Sequence, residues 1–189
     1  MAQKIPDPKY CTLCGAALED RTPEFDHRVR QVCPACGFVA YRQPKIAAGV
    51  VVEHDGGVVL IKRAVDPRRG FWSFPCGFME IDETLEEAAV RETREESGLE
   101  VALDGHLGTY SYVQSWHGGS VVVVAFLGRP VGGTLRAGDD AEAVRLVAAP
   151  EIPWDDLAFK SSHTALKDWL ARRASPRPGP GREPGRRSP

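Results

Sequence analysis

Beyond residue 44 the chain contains short apolar runs bounded by turn residues, a pattern that predicts β-strands. The turn His54–Gly57 separates the first two runs and predicts a hairpin. The predicted strands cover residues 46–53, 58–63, 101–112, 121–127 and 144–148. A helical pattern at residues 161–173 follows the last of them. Strands that alternate with helices indicate an α/β fold built on a mixed sheet.

One further helix is predicted between the second and third strands. Its inner face starts with apolar residues at i, i+3 and i+4, namely Leu85, Ala88 and Ala89. Thr84, followed three places later by Glu87, forms a capping-box pattern. We therefore expect this helix to begin near Asp82 or Glu83 and to end at Gly98.

The apolar stripe of this helix turns into a carboxylate stripe in its last turns. Glu92 and Glu96 continue the stripe, and Glu95 lies beside them. Carboxylates at the edge of a core repel each other and lose hydration, so they stay ionised only if a cation neutralises them. An all-oxygen cluster suits Mg²⁺ or Mn²⁺, and Arg91 can hold Glu83 by a charge-assisted hydrogen bond. The alternative is a solvated acidic helix face.

A second candidate metal site lies near the start of the chain. Cys11 and Cys14 form one C-x2-C pair, Cys33 and Cys36 form another, and 18 residues separate the pairs. This spacing is typical of a four-cysteine zinc site, which is closed and therefore structural. A redox pair or disulfide framework is the weaker alternative, and an iron centre of rubredoxin type has similar spacing. We expect the ribbon to support the fold or to form a homodimer.

These patterns divide the chain into three regions. We expect a zinc ribbon at residues 1–44, an α/β domain at 45–171 and a disordered basic tail at 172–189. The tail holds six Arg and one Glu, a net charge of +5. Because the whole chain has a net charge of −2, residues 1–171 carry a net charge of −7. A negative body makes nucleic acid an unlikely main partner.

Composition narrows the class of protein further. The hydrophobic content of 42% fits a globular protein, and no apolar run approaches membrane-spanning length. The polar start of the chain does not resemble a signal peptide. We therefore expect a cytoplasmic protein without a membrane partner, because the cytoplasm keeps thiols reduced for zinc.

Residues 77–99, GFMEIDETLEEAAVRETREESGL, resemble the box of the Nudix hydrolases, G-x5-E-x7-R-E-U-x-E-E-x-G-U, with U a bulky aliphatic residue. Eight of the nine specified positions match, and only Thr93 departs. The resemblance implies a Nudix α/β/α sandwich with a mixed sheet, preceded here by a zinc ribbon. It also implies metal-dependent hydrolysis of a nucleoside diphosphate linked to another group.

The same resemblance implies a role for each polar residue of the box. Glu92 and Glu96 match metal ligands, and Glu95 matches a further ligand or base. Glu83 matches the acid that orients Arg91. A catalytically silent nucleotide sensor is the rival interpretation, but such a domain should have lost box carboxylates.

Further ligands are implied outside this helix. The residue before the box glycine, here Cys76, often gives its backbone carbonyl to the metal in relatives. A downstream acid usually completes the site. Counting back from Arg145 makes Asp140 the matching residue, with Glu142 as the alternative. For either acid, a polar turn before a strand is an equally good interpretation.

Segments outside the box resemble zinc-ribbon Nudix hydrolases, which act on NADH, FAD or ADP-ribose. Residues 111–117 depart from the NADH pyrophosphatase signature, and Ser115 replaces a proline associated with ADP-ribose specificity. We expect a small nucleotide substrate, ADP-ribose or FAD, with NADH or nucleoside triphosphates as alternatives. In the loop after the second strand, Arg63, Arg68 and Arg69 have the fork geometry that matches phosphate, although a solvated loop is equally compatible with them.

Overall fold

The computed structural model describes residues 6–113, 119–138 and 140–175. The chain forms two compact units. One contains the described residues up to Ile46 together with those of the segment Ser111–Val122, and the other contains the rest. Within the described ranges, no helix has the length and apolar character needed to cross a membrane.

The first unit contains a small antiparallel sheet. Its strands are β1 (Glu19–Arg21), β2 (Arg30–Val32) and β3 (Val39–Ala40), in that order across the sheet. Each cysteine pair ends in a glycine with positive φ, 76° at Gly15 and 75° at Gly37. The N–H groups of these glycines donate to the carbonyls of Cys11 and Cys33, both at 2.9 Å. The left-handed glycines therefore fold each pair into a tight knuckle.

The larger unit is built on a seven-stranded sheet. The strands are β4 (Lys45–His54), β5 (Gly57–Arg63), β6 (Trp72–Ser73), β7 (Cys76–Phe78), β8 (Leu99–Tyr112), β9 (Val121–Gly133) and β10 (Ala141–Ala148). Their central order is β10-β5-β4-β9-β8, with β6 paired to β5 and β7 paired to β4. The pairs β10/β5, β5/β4, β5/β6 and β4/β7 are antiparallel, and Trp72 forms a parallel bridge with Leu157.

All five predicted strands are present, and several extend beyond their apolar runs. β9 continues to Gly133, and β10 begins at Ala141 through a register shift between Ala141 and Ala143. These extensions mix polar, glycine and isolated apolar residues, and only a few of their side chains are buried. Hydrophobic periodicity therefore does not mark them, because cross-strand backbone hydrogen bonds extend the strands there.

Helix α1 covers Leu85–Ser97 and begins later than the predicted start at Asp82 or Glu83. Thr84 is its N-cap: the Thr84 hydroxyl accepts from the N–H of Glu87 at 3.2 Å. The Glu87 carboxylate accepts in return from the N–H of Thr84 at 2.8 Å. The capping box thus sets the start, and Gly98 in the left-handed conformation ends the helix as predicted.

Helix α2 covers Lys160–Ala174, so the predicted disordered tail is wrong for its first residues. The Arg172 guanidinium donates to the carbonyls of His106 and Leu107 at 2.8 and 3.0 Å. Arg173 donates to Glu53 at 2.9 Å. Charge and the lack of apolar residues suggested a tail, but these hydrogen bonds hold the last helical turn. Residues 176–189 lie outside the described residues.

The core of the larger unit lies between the sheet and its helices. Val50–Val52 on β4 and Val58–Ile61 on β5 are at most 1% exposed. Successive strand residues point to opposite faces, so both faces of the sheet are covered. Ala88 and Ala89 of α1 are fully buried, and Trp169 of α2 is 1% exposed. This arrangement is the predicted α/β/α sandwich.

Candidate active site

Three glutamates of α1 differ sharply in their exposure. Glu96 is 6% exposed, the side chain of Glu92 is 15% exposed, and that of Glu95 is 59% exposed. One oxygen of Glu96 accepts the backbone N–H of Cys76 at 2.9 Å. The predicted stripe therefore exists, and it places two carboxylates at the edge of the core and one in solvent.

Burial changes the acidity of the two inner glutamates. Desolvation, together with the charges of Glu92 and Asp140, raises the pKa of Glu96 to about 8. Burial also raises the pKa of Glu92. A divalent cation would relieve this cost, because it neutralises crowded carboxylates and prefers oxygen ligands. The donor set therefore fits Mg²⁺ or Mn²⁺, with Glu92 and Glu96 as the predicted ligands.

Gly77, at the end of the apolar run, is needed for this packing. A Cβ atom at Gly77 would lie 2.1 Å from the carboxyl carbon of Glu92. Real contacts at such a distance do not occur, so any side chain here would displace the Glu92 carboxylate. The first position of the box is thus glycine because β7 passes directly over a predicted ligand.

Arg91 organises the carboxylates around it. Its Nε and one terminal nitrogen donate to the two oxygens of Glu83 at 2.9 and 2.6 Å. The other terminal nitrogen donates to Glu92 at 2.8 Å and to Glu95 at 3.0 Å. The predicted contact of Arg91 with Glu83 is present, whereas the bonds to Glu92 and Glu95 did not follow from the sequence. The Arg91 hydrogen bonds lower the pKa of Glu83 to about 2.

The loop between β9 and β10 docks on the C-terminal end of α1. Backbone N–H groups of the loop donate to carbonyls that the helix leaves unpaired. The bonds run from Thr134 to Gly98, from Arg136 to Ser97 and from Gly138 to Glu96, at 3.1, 2.9 and 3.2 Å. A Cβ atom at Gly138 would lie 1.7 Å from the carbonyl oxygen of Glu95. Sequence reasoning missed this contact, for which the glycine was the available signal.

This docking brings a downstream acid to the carboxylates. An open cavity of about 1190 Å³ borders Glu92, Glu95, Glu96 and Asp140. Glu142 instead accepts a hydrogen bond from the Lys62 ammonium at 2.8 Å. The geometry thus favours Asp140 over Glu142 as the further ligand, and this assignment stays a prediction. Asp139 lies outside the described residues.

Cys76 occupies the position that precedes the box glycine. Its backbone N–H is taken by Glu96, and its carbonyl remains a predicted ligand. Burial, together with the charges of Glu96 and Glu92, holds the pKa of the Cys76 thiol far above its usual range. The thiol therefore stays protonated and unreactive, in line with a backbone role.

The four ribbon cysteines converge on one point. The Sγ atoms of Cys11, Cys14, Cys33 and Cys36 all lie within 4.8 Å of one another. Three of the pairs are 3.5–3.7 Å apart. Zn–S bonds of about 2.3 Å in a tetrahedron put sulfur atoms about 3.8 Å apart, so the thiolates fit zinc. The N–H of Leu13 lies 3.4 Å from the Cys11 sulfur, as expected for a knuckle.

Comparison with known proteins identifies the family. The family model described as NUDIX domain matches residues 43–172, and the one described as Nudix N-terminal, a zinc ribbon, matches residues 9–42. The chain belongs to the Nudix hydrolase family. The predicted family and fold class are therefore confirmed.

Three relatives illustrate the range of the Nudix family around this chain. An ADP-ribose pyrophosphatase of Methanocaldococcus jannaschii is 37% identical over 130 residues, which cover 69% of this chain and 75% of that protein. An NAD-capped RNA hydrolase, NudC, of Pseudomonas aeruginosa is 31% identical over 172 residues, 88% of this chain but only 57% of the relative. A NUDIX hydrolase structure from Nitrosomonas europaea has 36% identity and a TM-score of 0.80, covering 88% and 93% of the two chains.

We predict one tightly bound zinc ion per chain, because four thiolates at this separation form a closed tetrahedral site. Elemental analysis of protein purified without chelator measures it. Cys33→Ser should lower the zinc content and loosen the ribbon. The control is Cys76→Ser, which changes the cysteine outside the group and should leave zinc in place. Protein without tightly bound zinc or iron would contradict the assignment.

We predict that Glu83→Gln destabilises the protein in a pH-dependent way. The pKa of Glu83 in the folded protein, about 2, lies below the ordinary value of 4.5. The ionised carboxylate therefore stabilises the fold above about pH 4.5, and this contribution disappears as the pH falls toward 2. Denaturant unfolding of both proteins from pH 7 to pH 3 measures the difference. Exposed Glu86→Gln on the same helix is the control, and a Glu83 effect independent of pH would refute the linkage.

We predict that Gly138→Ala moves the loop off the end of α1, because the new Cβ would meet a backbone oxygen. Overpacking of this kind costs about 1–3 kcal/mol. Displacement of Asp140 should weaken Mn²⁺ binding by roughly 10–100-fold, the usual effect of disturbing a supporting group. Isothermal titration with Mn²⁺ measures the affinity. Gly119→Ala, where a Cβ has open space, is the control, and unchanged Mn²⁺ affinity in Gly138→Ala would contradict the proposed link.

Proposed function

We propose that this Nudix hydrolase cleaves the diphosphate linkage of a nucleoside diphosphate joined to a second group. The observation that carries the proposal is the carboxylate cluster, here defined as Glu92, Glu95 and Glu96, with Asp140 beside it. Glu96 is buried and Glu92 is half-buried, so a cation would stabilise their ionised forms, and Glu95 is exposed. This combination supports metal-dependent chemistry more strongly than a catalytically silent sensor. A sensor without a metal would gain nothing from burying acids, which is energetically unfavourable.

Glu92, Glu96, Asp140 and the Cys76 carbonyl are the groups that would hold the cation. When bound, Mg²⁺ or Mn²⁺ supplies charge neutralisation on a diphosphate and makes water more acidic. Glu95 remains open to solvent at one edge of the cavity. It can therefore accept a proton from an attacking water, while Arg91 keeps its carboxylate in place.

The substrate that we propose is an adenine-containing diphosphate, with ADP-ribose or FAD preferred. The relative from Methanocaldococcus jannaschii is named for ADP-ribose, and it matches 69% of this chain. NAD-capped RNA is a second candidate, because the similarity to NudC covers 88% of this chain. The negative charge of residues 1–171 argued against nucleic acid, but that relative acts on an RNA. The departure from the NADH signature falls largely on residues 114–118, which lie outside the described residues.

Three further proposals concern the protein as a whole. The division into residues 1–44, 45–171 and 172–189 remains our proposal for its regions, with helix α2 extended to Ala174. We also propose a cytoplasmic location, where the thiols that zinc requires stay reduced. A homodimer is proposed as the assembly, and size-exclusion chromatography with light scattering would test it.

We predict that the enzyme hydrolyses ADP-ribose or FAD with Mg²⁺ or Mn²⁺ more efficiently than NADH or 8-oxo-dGTP. The metal and the diphosphate are common to these compounds, so discrimination comes from contacts to the remaining groups. The measurement is kcat/KM for each compound and for an NAD-capped RNA oligonucleotide on one preparation. A clear preference for the triphosphate would contradict the proposal, and preference for the capped RNA would favour the second candidate.

The matched control for this panel is Glu96→Gln, which keeps the shape of the side chain but removes its charge. Its turnover should fall on the order of a thousandfold, several kcal/mol of transition-state stabilisation. Glu86→Gln on the exposed face of α1 should keep normal turnover. Near-normal activity of Glu96→Gln at saturating Mg²⁺ would rule out Glu96 as a ligand.

A further inference from the structure

Two exposed arginines border the cavity that contains the carboxylate cluster, and the cluster does not use them. The cavity is lined by Arg91, Arg94 and Arg136. The guanidinium of Arg91 is occupied by the acids of the box and by the carbonyl of Phe78. Across the part of the chain that the structure describes, the guanidinium groups of Arg94 and Arg136 take part in no hydrogen bond, ion pair or stack on an aromatic ring. Their donors face the cavity unused by these residues.

The position of Arg136 is fixed by its backbone. Its N–H donates to the carbonyl of Ser97 at 2.9 Å, and the loop bonds on either side hold this part of the chain on the end of α1. The side chain lies over the glycine that ends the helix. A Cβ atom at Gly98 would lie 2.7 Å from Cγ of Arg136 and 3.4 Å from its Nε. Because Ser97 directly follows Glu96, Arg136 lies at the C-terminal end of the carboxylate cluster.

Arg94 reaches the same place from the helix. It lies in the last turn of α1, and its carbonyl accepts the N–H of Gly98 at 2.9 Å. The backbone of Arg94 and the side chain of Arg136 thus meet at one glycine, although they belong to different elements. We call Arg94 and Arg136 the arginine pair.

Stabilisation of the helix end does not account for the arginine pair. Basic side chains near a helix C-terminus usually bond its last carbonyls. Here the carbonyls of Glu96, Ser97 and Gly98 accept backbone N–H groups of the loop instead. Neither guanidinium replaces those bonds, and two cations at one place repel each other. A bound anion would relieve this repulsion.

The size of the cavity leaves room for such an anion beside a diphosphate. Its volume of about 1190 Å³ exceeds the ~300–1,000 Å³ of most small-molecule sites. A diphosphate held by a cation at the carboxylate cluster would fill one part of it. The arginine pair borders the part next to the end of α1. Guanidinium groups match phosphate oxygens in geometry and charge, so phosphate is the anion that fits best.

We propose that the arginine pair binds an additional phosphate group, which the substrate carries outside the diphosphate that is cleaved. This inference rests on the proposed function, because it assumes that the diphosphate lies at the carboxylate cluster. ADP-ribose and FAD contain no third phosphate, whereas a nucleoside triphosphate and an NAD-capped RNA do. The arginine pair would therefore select among substrates that share the same scissile bond.

The test uses two pairs of probes that differ by one phosphate and contain no P–O–P bridge. AMP is compared with adenosine 3′,5′-bisphosphate, whose extra phosphate is on the ribose. The methylene analogue of ADP is compared with the bismethylene analogue of ATP, whose extra phosphate is in line. Isothermal titration in the presence of Mg²⁺ measures each affinity. In the wild type, the added phosphate should raise affinity about tenfold or more in one of the pairs, the scale of a charged hydrogen bond.

The double variant Arg94→Gln/Arg136→Gln should lose this gain and keep its affinity for the shorter probe of the pair within about twofold. Each single variant should lose part of the gain, and Arg136→Lys, which keeps the charge without the fork, should retain some of it. The control is Lys167→Gln, an exposed cation of α2 outside the cavity, which should leave all four affinities unchanged. The pair of probes that responds shows whether the phosphate is attached to the ribose or in line.

Two results would overturn the proposal. One is an added phosphate that raises affinity in neither pair, or equally in wild type and double variant. The other is a double variant that loses Mn²⁺ affinity and binds shorter and longer probes equally poorly, because the arginines would then only hold the loop on α1. None of these measurements needs turnover. A wild type that binds the probes as expected but hydrolyses no diphosphate would therefore count against the proposed function and leave the phosphate site standing.

Discussion

The hydrogen bonds of Arg91 are the constraint on which the carboxylate cluster depends. One guanidinium bonds to Glu83, Glu92 and Glu95, and also donates to the carbonyl of Phe78 at 3.1 Å. Like charges this close would otherwise separate into solvent. Because the same group reaches β7, it also fixes the helix against the strand that passes over it. Glu96 is the acid that Arg91 does not bond. Burial raises the pKa of Glu96, so a bound cation would stabilise its ionised form.

Two glycines also position the carboxylate cluster, because each lets another part of the chain approach its backbone closely. Gly77 lets β7 pass over Glu92, and Gly138 lets the β9–β10 loop lie on the end of α1. At Gly138 a backbone oxygen of Glu95 sets the spacing, whereas at Gly77 the carboxylate of Glu92 sets it. Sites built on rigid elements keep their geometry more accurately than sites on free loops. The loop also satisfies carbonyls that the helix would otherwise leave unpaired, so one contact serves both stability and the placement of Asp140.

The ribbon unit is stabilised in a different way. Its three strands have three, three and two residues, and few of its apolar side chains are buried. Tyr10, Leu13 and Phe25 are 66%, 73% and 94% exposed. Such a small sheet cannot bury enough apolar surface to fold on packing alone. Cys11 and Cys33 are the buried residues around which its knuckles close, so a bound metal would take the place of a core.

From the sequence we could predict the family, five strands and both helices of the larger unit, and which glutamates belong to one stripe of α1. These features depend on local spacing: the period of a helix, the capping box at Thr84 and the repeat of the cysteine pairs. The helical pattern at residues 161–173 reached Arg172 and Arg173, but it could not show that residues of β8 and β4 hold these side chains, because those contacts are distant in sequence.

The sequence could not predict which distant groups lie near the cluster, and the folded chain shows this. Spacing favoured Asp140 and left Glu142 as an alternative; in the fold, Asp140 borders the cluster cavity and Glu142 pairs with Lys62. Arg63, Arg68 and Arg69 are likewise equivalent in sequence, yet Arg63 is held by the Pro67 carbonyl and the Phe159 ring, whereas Arg68 lies over Phe71. The physical reason is that a charged side chain acts through its neighbours in space. Those neighbours lie on strands and loops that are distant along the chain. Backbone hydrogen bonds of the folded protein bring these strands and loops together.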